Sequence, residues 1–207
     1  MKNVLPQFWS FNRVRDASKI KTEELVWRGP FSWIGYERIN GLPPAPDVAG
    51  VYLFTFACLD GYVLRSVGVT NSMKRRFTEH TREYKNGNYT LLDVECAQKG
   101  VRKELWHGWQ YAKRHRSIYL DNKDIILELA EKELIAYRIF ISEVADRRKR
   151  ERIEAAILVN TYSSKEWWAD LIDGGMSLRS RYNREIPIQV KNVCAHKVYG
   201  LPELMEI

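Results

Sequence analysis

The sequence predicts an α+β domain: a small central sheet of about three strands, covered by helices and extended at both ends. Three observations carry that expectation. A β-favouring run over residues 50–57 turns at Asp60-Gly61 and returns over 62–69. An alternating apolar run follows at 135–141, and charged helical patterns occupy 73–84 and 146–161. With 207 residues, 45% of them apolar, the chain can bury one substantial core.

Residues 1–47 are rich in aromatic and basic side chains, among them Phe8, Trp9, Arg13, Trp27, Arg28, Trp33 and Arg38. Leu42-Pro43-Pro44-Ala45-Pro46-Asp47 blocks helix and regular strand alike, so a boundary falls at 47 and the preceding stretch reads as an extension packed on the main domain. Gly50 to Ala57 and Tyr62 to Val69 form a hairpin about the Asp-Gly turn. Asn71 or Ser72 caps a helix from about Met73 to Tyr84, which Lys85-Asn86-Gly87-Asn88 ends. Residues 88–133 read as a mostly helical insertion, weakened at Gly100 and Gly108, with a further helix opening at Asn122 or Lys123. Ile135, Tyr137, Ile139 and Ile141 then alternate with Ala136, Arg138 and Phe140, the period of a strand. Helix returns from Asp146 to about Thr161 and closes a main domain of 48–162. Residues 163–207 read as an irregular C-terminal extension, punctuated by Gly174-Gly175, Pro187 and Pro202.

Thirty-three Lys and Arg against 26 Asp and Glu leave a formal charge of +7. That excess favours an anionic partner, nucleic acid above all. Cys58, Cys96 and Cys194 are odd in number, far apart and outside any zinc-ligand spacing, so they read as thiols in a reducing compartment. No apolar stretch of secretory-signal length follows Lys2 at the N-terminus, and no segment anywhere has the length of a membrane span. A cytoplasmic location with no membrane partner is expected.

The most specific pattern runs from 50 to 80. Gly50-Val51-Tyr52 is followed by Ser66-Val67-Gly68, then Thr70, Arg76 and His80 one turn beyond the arginine. Further on, Glu154 sits on the helix after the third strand, and Asn183 lies in Arg181-Tyr182-Asn183-Arg184. This ordered set resembles the GIY-YIG nuclease family over roughly residues 48 to 160, with Val for Ile in the first signature and Ser66 where the second usually has tyrosine. The resemblance implies a small GIY-YIG-like sheet flanked by helices. It implies catalytic roles for Tyr52, Arg76, His80, Glu154 and, by a looser match, Asn183. It also makes Glu154 the ligand of a Mg²⁺ or Mn²⁺ ion. Tyr62 lies four residues before Ser66 and shares its strand face by the period of two, provided the register is regular.

These residue types suit phosphodiester hydrolysis. One carboxylate suffices for a hard cation that keeps several waters and takes phosphate oxygens as further ligands. An arginine presents a permanently charged fork to the developing phosphoryl charge. A tyrosine, with a pKa of about 10 in water, works as a base only with help, and the histidine can take or orient its proton. Lys74, Arg75, Arg147, Arg150, Lys113 and Arg114 are candidates for contact with a DNA backbone. The run Arg147 to Arg150 opens a helix, where cations are disfavoured, so it either meets phosphate or is a solvated face. Trp106 and Trp109 either flank that backbone or form the core of the insertion; Trp167-Trp168, Met73 and Phe77 read as packing.

The expected function is metal-dependent endonucleolytic cleavage of DNA, duplex above all, of restriction or repair type. A homodimer is favoured if both strands are cut. The competing classes are a DNA-binding protein on the same scaffold that does not cut, and a phosphate-binding enzyme unrelated to nucleic acid.

Overall fold

The computed structural model describes residues 20–108, 110–173 and 178–207. Among these, nine strands form: β1 (Lys21–Phe31), β2 (Gly50–Cys58), β3 (Gly61–Thr70), β4 (Leu91–Leu92), β5 (Glu104–Trp106), β6 (Tyr137–Glu143), β7 (Ile188–Cys194), β8 (Val198–Tyr199) and β9 (Leu204–Glu206). The fold is α+β, but the expectation of a small, three-stranded sheet is overturned. Seven strands join in the order β8-β3-β2-β6-β1-β7-β9, and β4 pairs with β5 apart from them. The large sheet is mixed: β1 runs parallel to β7 and antiparallel to β6, and β3 is parallel to β8.

The hairpin lies where the sequence puts it, and the third strand starts two residues later than expected because helix runs on through Ile135 and Ala136; the strands added to the large sheet come from the two extensions. β1 turns Leu25 and Trp27 inward, with Glu24, Val26 and Arg28 outward. That alternation is hidden by its charges and by Gly29-Pro30. β7 matches it residue for residue from Lys21↔Ile188 to Trp27↔Cys194, and Trp27 Nε1 donates to Asn192 Oδ1 at 2.8 Å. β8 and β9 are too short to show a period. Phe8, Trp9 and Arg13 lie outside the described residues.

The insertion is also less helical than expected. α3 (Val94–Ala97), after α1 (Glu37–Asn40) and α2 (Met73–Lys85), lasts one turn beyond its Asp93 cap. Gly100, at φ 80°, then reverses the chain so that β5 can return beside β4. α4 (Tyr111–Arg114) and α5 (Arg116–Asp121) are short, and α6 (Lys123–Ala136) is the one long helix here, starting where expected. Trp106 is half-buried core, with Nε1 donating to the Gly87 carbonyl at 2.7 Å; Trp109 lies outside the described residues.

β2 is the centre of the molecule, antiparallel to β3 and β6 on either side. Its residues alternate between two cores, which is why it reads as a continuous apolar run. Tyr52, Phe54 and Phe56 pack toward Met73, Phe77 and Tyr84 of α2 and Leu134 of α6. Val51 and Leu53 pack toward Ile153, Ile157 and Leu158 of α7 (Arg147–Tyr162). Each fully buried large apolar side chain contributes about 1.5–3 kcal/mol, so β2 is pinned from both faces. Among the described residues no helix is long and apolar enough to cross a membrane.

Candidate active site

α2 begins at Ser72, whose hydroxyl accepts from the Arg75 amide and donates to Asp47 at 2.7 Å. Its buried residues are Met73, Phe77, His80 and Tyr84, one helical stripe against β2. His80 is therefore a polar residue in a core position, and both ring nitrogens need partners there. Nε2 lies 2.7 Å from Tyr52 Oη and Nδ1 lies 3.0 Å from Tyr89 Oη. Arg76, one turn earlier and at the rim, donates from Nε to Tyr52 Oη at 3.3 Å and from Nη1 to Glu79 at 3.2 Å. Tyr52, Arg76 and His80 thus converge on one phenolic oxygen.

Burial sets the electrostatics of this group. It pushes the Tyr52 phenol up to about 12, with Arg76 opposing. It pushes His80 down to about 3, and Arg76 acts in the same direction, so the imidazole is neutral. Glu154 approaches from α7, on the other side of the sheet. Burial raises its carboxyl to about 7, against the pull of Arg76 and with help from Glu151. Tyr52 in turn feels the charge of Glu154.

α2 and α7 meet at the end of β3 around a cleft of about 290 Å³. Val69, Thr70 and Asn71 form its floor; Arg75, Arg76 and Glu79 line one wall and Arg147, Arg150 and Glu151 the other. Neither Asn71 nor Glu79 is marked as a site residue by the sequence pattern. Asn71 holds Arg150, and Glu79 braces Arg76 and, at 3.9 Å, Arg75.

The basic run opening α7 is largely used up internally. Arg148 is clamped by Glu185 at 2.7 Å beneath the Tyr182 ring, and Lys149 pairs with Glu23. Arg150, expected to contact DNA, is 3% exposed. Its guanidinium bonds the Val144 and Ala145 carbonyls and Asn71, so it builds the cleft wall instead. Arg147 alone of the four keeps an open side chain, 73% exposed beside Glu151. Lys74 and Arg75 are exposed on α2 next to the cleft. Lys113 and Arg114 are exposed on α4, and no side-chain bond among the described residues ties them to the cleft. Asn183 sits in an exposed turn, likewise unconnected to Tyr52, Arg76 or Glu154.

Tyr62 does not stand in for the absent tyrosine at Ser66. The β2–β3 register shifts between Phe54↔Ser66 and Thr55↔Leu64, leaving Arg65 as an extra residue. Tyr62 is thereby turned to the opposite face from Ser66, where it packs edge-on against Phe140 at 5.0 Å. The period-of-two reading fails at that bulge. Tyr89 supplies a second phenol from the loop after α2, a contribution with no sequence signal because nothing near it is periodic.

No three His, Cys, Asp or Glu side chains cluster as a self-sufficient metal site among the described residues. The donor chemistry still suits a hard cation that draws most ligands from water and phosphate. Glu154 is a half-buried carboxylate that neither Arg150 nor any other described side chain engages in a hydrogen bond or ion pair. Comparisons with protein families, curated proteins and solved structures found no match for this chain.

Proposed function

We propose that this chain is a metal-dependent endonuclease hydrolysing DNA phosphodiester bonds, working on the GIY-YIG pattern. The observation that supports this best is the Tyr52 hydroxyl held between His80 Nε2 and Arg76 Nε, within the field of a Glu154 carboxylate that has no hydrogen-bond or ion-pair partner among the described residues. A Mg²⁺ or Mn²⁺ ion on Glu154 would supply Lewis acidity toward the phosphate.

The remaining chemistry belongs to the chain's own groups. Arg76 offers Nη protons to a phosphoryl oxygen while its Nε keeps the phenol in place. Tyr52 takes the proton of the attacking water as it gives its own to His80. With its phenol at about 12, only about one part in 10⁵ would be ionised at pH 7, so a free tyrosinate is too scarce to act. The two transfers must be coupled. Burial depresses His80 most and the charge of Arg76 adds to it; phosphate arriving at Arg76 offsets that second part, making the imidazole a better acceptor when substrate is bound. Arg147, Arg75 and Lys74 flank the cleft and would position the backbone without reading its sequence. Cutting both strands calls for two copies of the chain.

Supercoiled plasmid with Mg²⁺ or Mn²⁺ tests the reading, with Glu154→Ala as control. Nicking or linearisation by the native chain alone supports it; intact plasmid with either metal rejects it. The second reading, a DNA binder that does not cut, draws on Ser66 and on Tyr62 facing away. It predicts salt-sensitive binding without cleavage.

A further inference from the structure

We infer that Tyr89 is a positioning residue that accepts the Nδ1 proton of His80 and so helps hold the tautomer in which Nε2 offers a lone pair to Tyr52. The inference rests on the proposed role of Tyr52 as proton acceptor, but its structural half stands without it. A neutral imidazole carries one N–H and one lone pair. Here both nitrogens end on phenols, and a hydroxyl can serve either as donor or as acceptor. Two polarities of the chain Tyr89–His80–Tyr52 are therefore conceivable.

Arg76 breaks the tie. Its Nε–H points at Tyr52 Oη, so that oxygen already accepts one bond. Tyr52 is 2% exposed, and its own proton must find a buried acceptor. Among the described residues His80 Nε2 is the one that touches it. Nε2 must then be unprotonated and Nδ1 must carry the hydrogen. His80 is 8% exposed, so Nδ1–H needs a protein acceptor in turn, and Tyr89 Oη at 3.0 Å is it. The other groups against the ring are Trp33 and Phe54, which offer this nitrogen no lone pair.

Tyr89 is well held for this task. Its ring packs at 4.8 Å on Tyr84 and at 5.5 Å on His80. The next residue is anchored twice: the Thr90 carbonyl accepts from Arg65 Nη2 at 3.1 Å, and its hydroxyl accepts from the Gly108 amide at 3.2 Å. Tyr89 is half-buried as a residue, and a hydroxyl keeps acceptor capacity whichever way its own proton turns, so it can receive Nδ1–H. β3 contributes no phenol to this cluster, since Ser66 is short and Tyr62 faces away.

The test is ¹⁵N NMR of histidine-labelled protein, with the His80 signals assigned by their loss in His80→Gln. The native chain should show a protonated Nδ1 and a lone pair on Nε2. Tyr89→Phe keeps the packed ring, and should drive the His80 nitrogens toward a mixed or inverted tautomer. It should also lower the plasmid cleavage rate at least tenfold, with DNA affinity unchanged within twofold. A native Nε2–H tautomer, or an unchanged pattern and cleavage rate in Tyr89→Phe, overturns the inference. The spectrum needs no substrate, so it judges Tyr89 even if the native chain cuts no DNA, and that failure would fall on the proposed function alone.

Discussion

Gly68 lies directly across from Tyr52 in the β2–β3 register, and the phenol occupies the space where a Gly68 side chain would be. A Cβ there would overlap both Tyr52 Oη and Cζ. Position 68 is thus glycine for a steric reason: any side chain would push the phenolic oxygen off His80 and Arg76. Gly68→Ala is expected to cost about 1–3 kcal/mol of stability through overpacking, read as a lower melting midpoint. Its plasmid cleavage should fall at least tenfold while DNA affinity stays within twofold. A Gly68→Ala chain that cuts like the native one would mean that the position of Tyr52 is unimportant.

Glu154 gives the apo protein a pH dependence of known sign. Its folded carboxyl sits at about 7, above the ordinary carboxylate value. A raised pKa means that burial favours the neutral form, so this contribution is complete at pH below about 4.5 and fades as pH climbs through about 7. Allowing for solvent screening, the loss is about 1–2 kcal/mol. Thermal melts of metal-free protein from pH 5 to 8 should show it, and Glu154→Gln should flatten that part of the curve. Mg²⁺ should restore the midpoint at pH 8 in the native chain and leave the Gln variant unmoved.

Arg76 both braces the phenol and faces the cleft, so charge alone does not replace it. Arg76→Lys keeps one positive charge but loses the Nε bond to Tyr52 and the planar fork. Cleavage should drop by about 10²–10³-fold, the scale for loss of an oxyanion donor. DNA affinity should change little, because Arg75 and Arg147 remain. Equal losses in binding and turnover would assign Arg76 to docking instead.

What was legible in the sequence was whatever had a period or a cap. The β-favouring run in 50–57, the alternation through Tyr137, Ile139 and Ile141, the Asp-Gly turn, Ser72 and Asp146 at helix starts, and the spacing of Arg76 and His80 all survive in the fold. β1 was hidden because only Leu25 and Trp27 point inward, among charges that satisfy β7 and solvent on the other side. The bulge at Arg65 was equally silent: a strand slips by one residue there because a buried guanidinium must reach Glu133 and Asp173, which are distant in sequence. Tyr89 and Asn71 share that property. Their roles come from contacts across the fold, and local pattern carries no trace of such contacts.

Arg65 and Glu133 are buried beside Tyr84 and Tyr137, on the face of the sheet that carries Tyr52, and their pair carries a last prediction about stability. Both are fully buried. Glu133 accepts from the Leu92 amide at 2.8 Å and from Tyr137 at 2.5 Å, while Tyr137 also meets Tyr84 at 2.8 Å. Burial pushes the Glu133 carboxyl up and the Arg65 guanidinium opposes it from 3.7 Å. Arg65 keeps Asp173 at 2.6 Å, so it is not stranded if Glu133 goes, but its Nε has no hydrogen-bond partner among the described residues. Glu133→Ala should therefore cost about 3–5 kcal/mol, the range for breaking a buried pair. Glu133→Gln should cost less, because an amide oxygen can still take the Leu92 bond. Urea titrations of both variants measure the difference. Equal losses would mean that the retained shape and the Leu92 bond recover nothing, and that the negative charge facing Arg65 is what this position supplies.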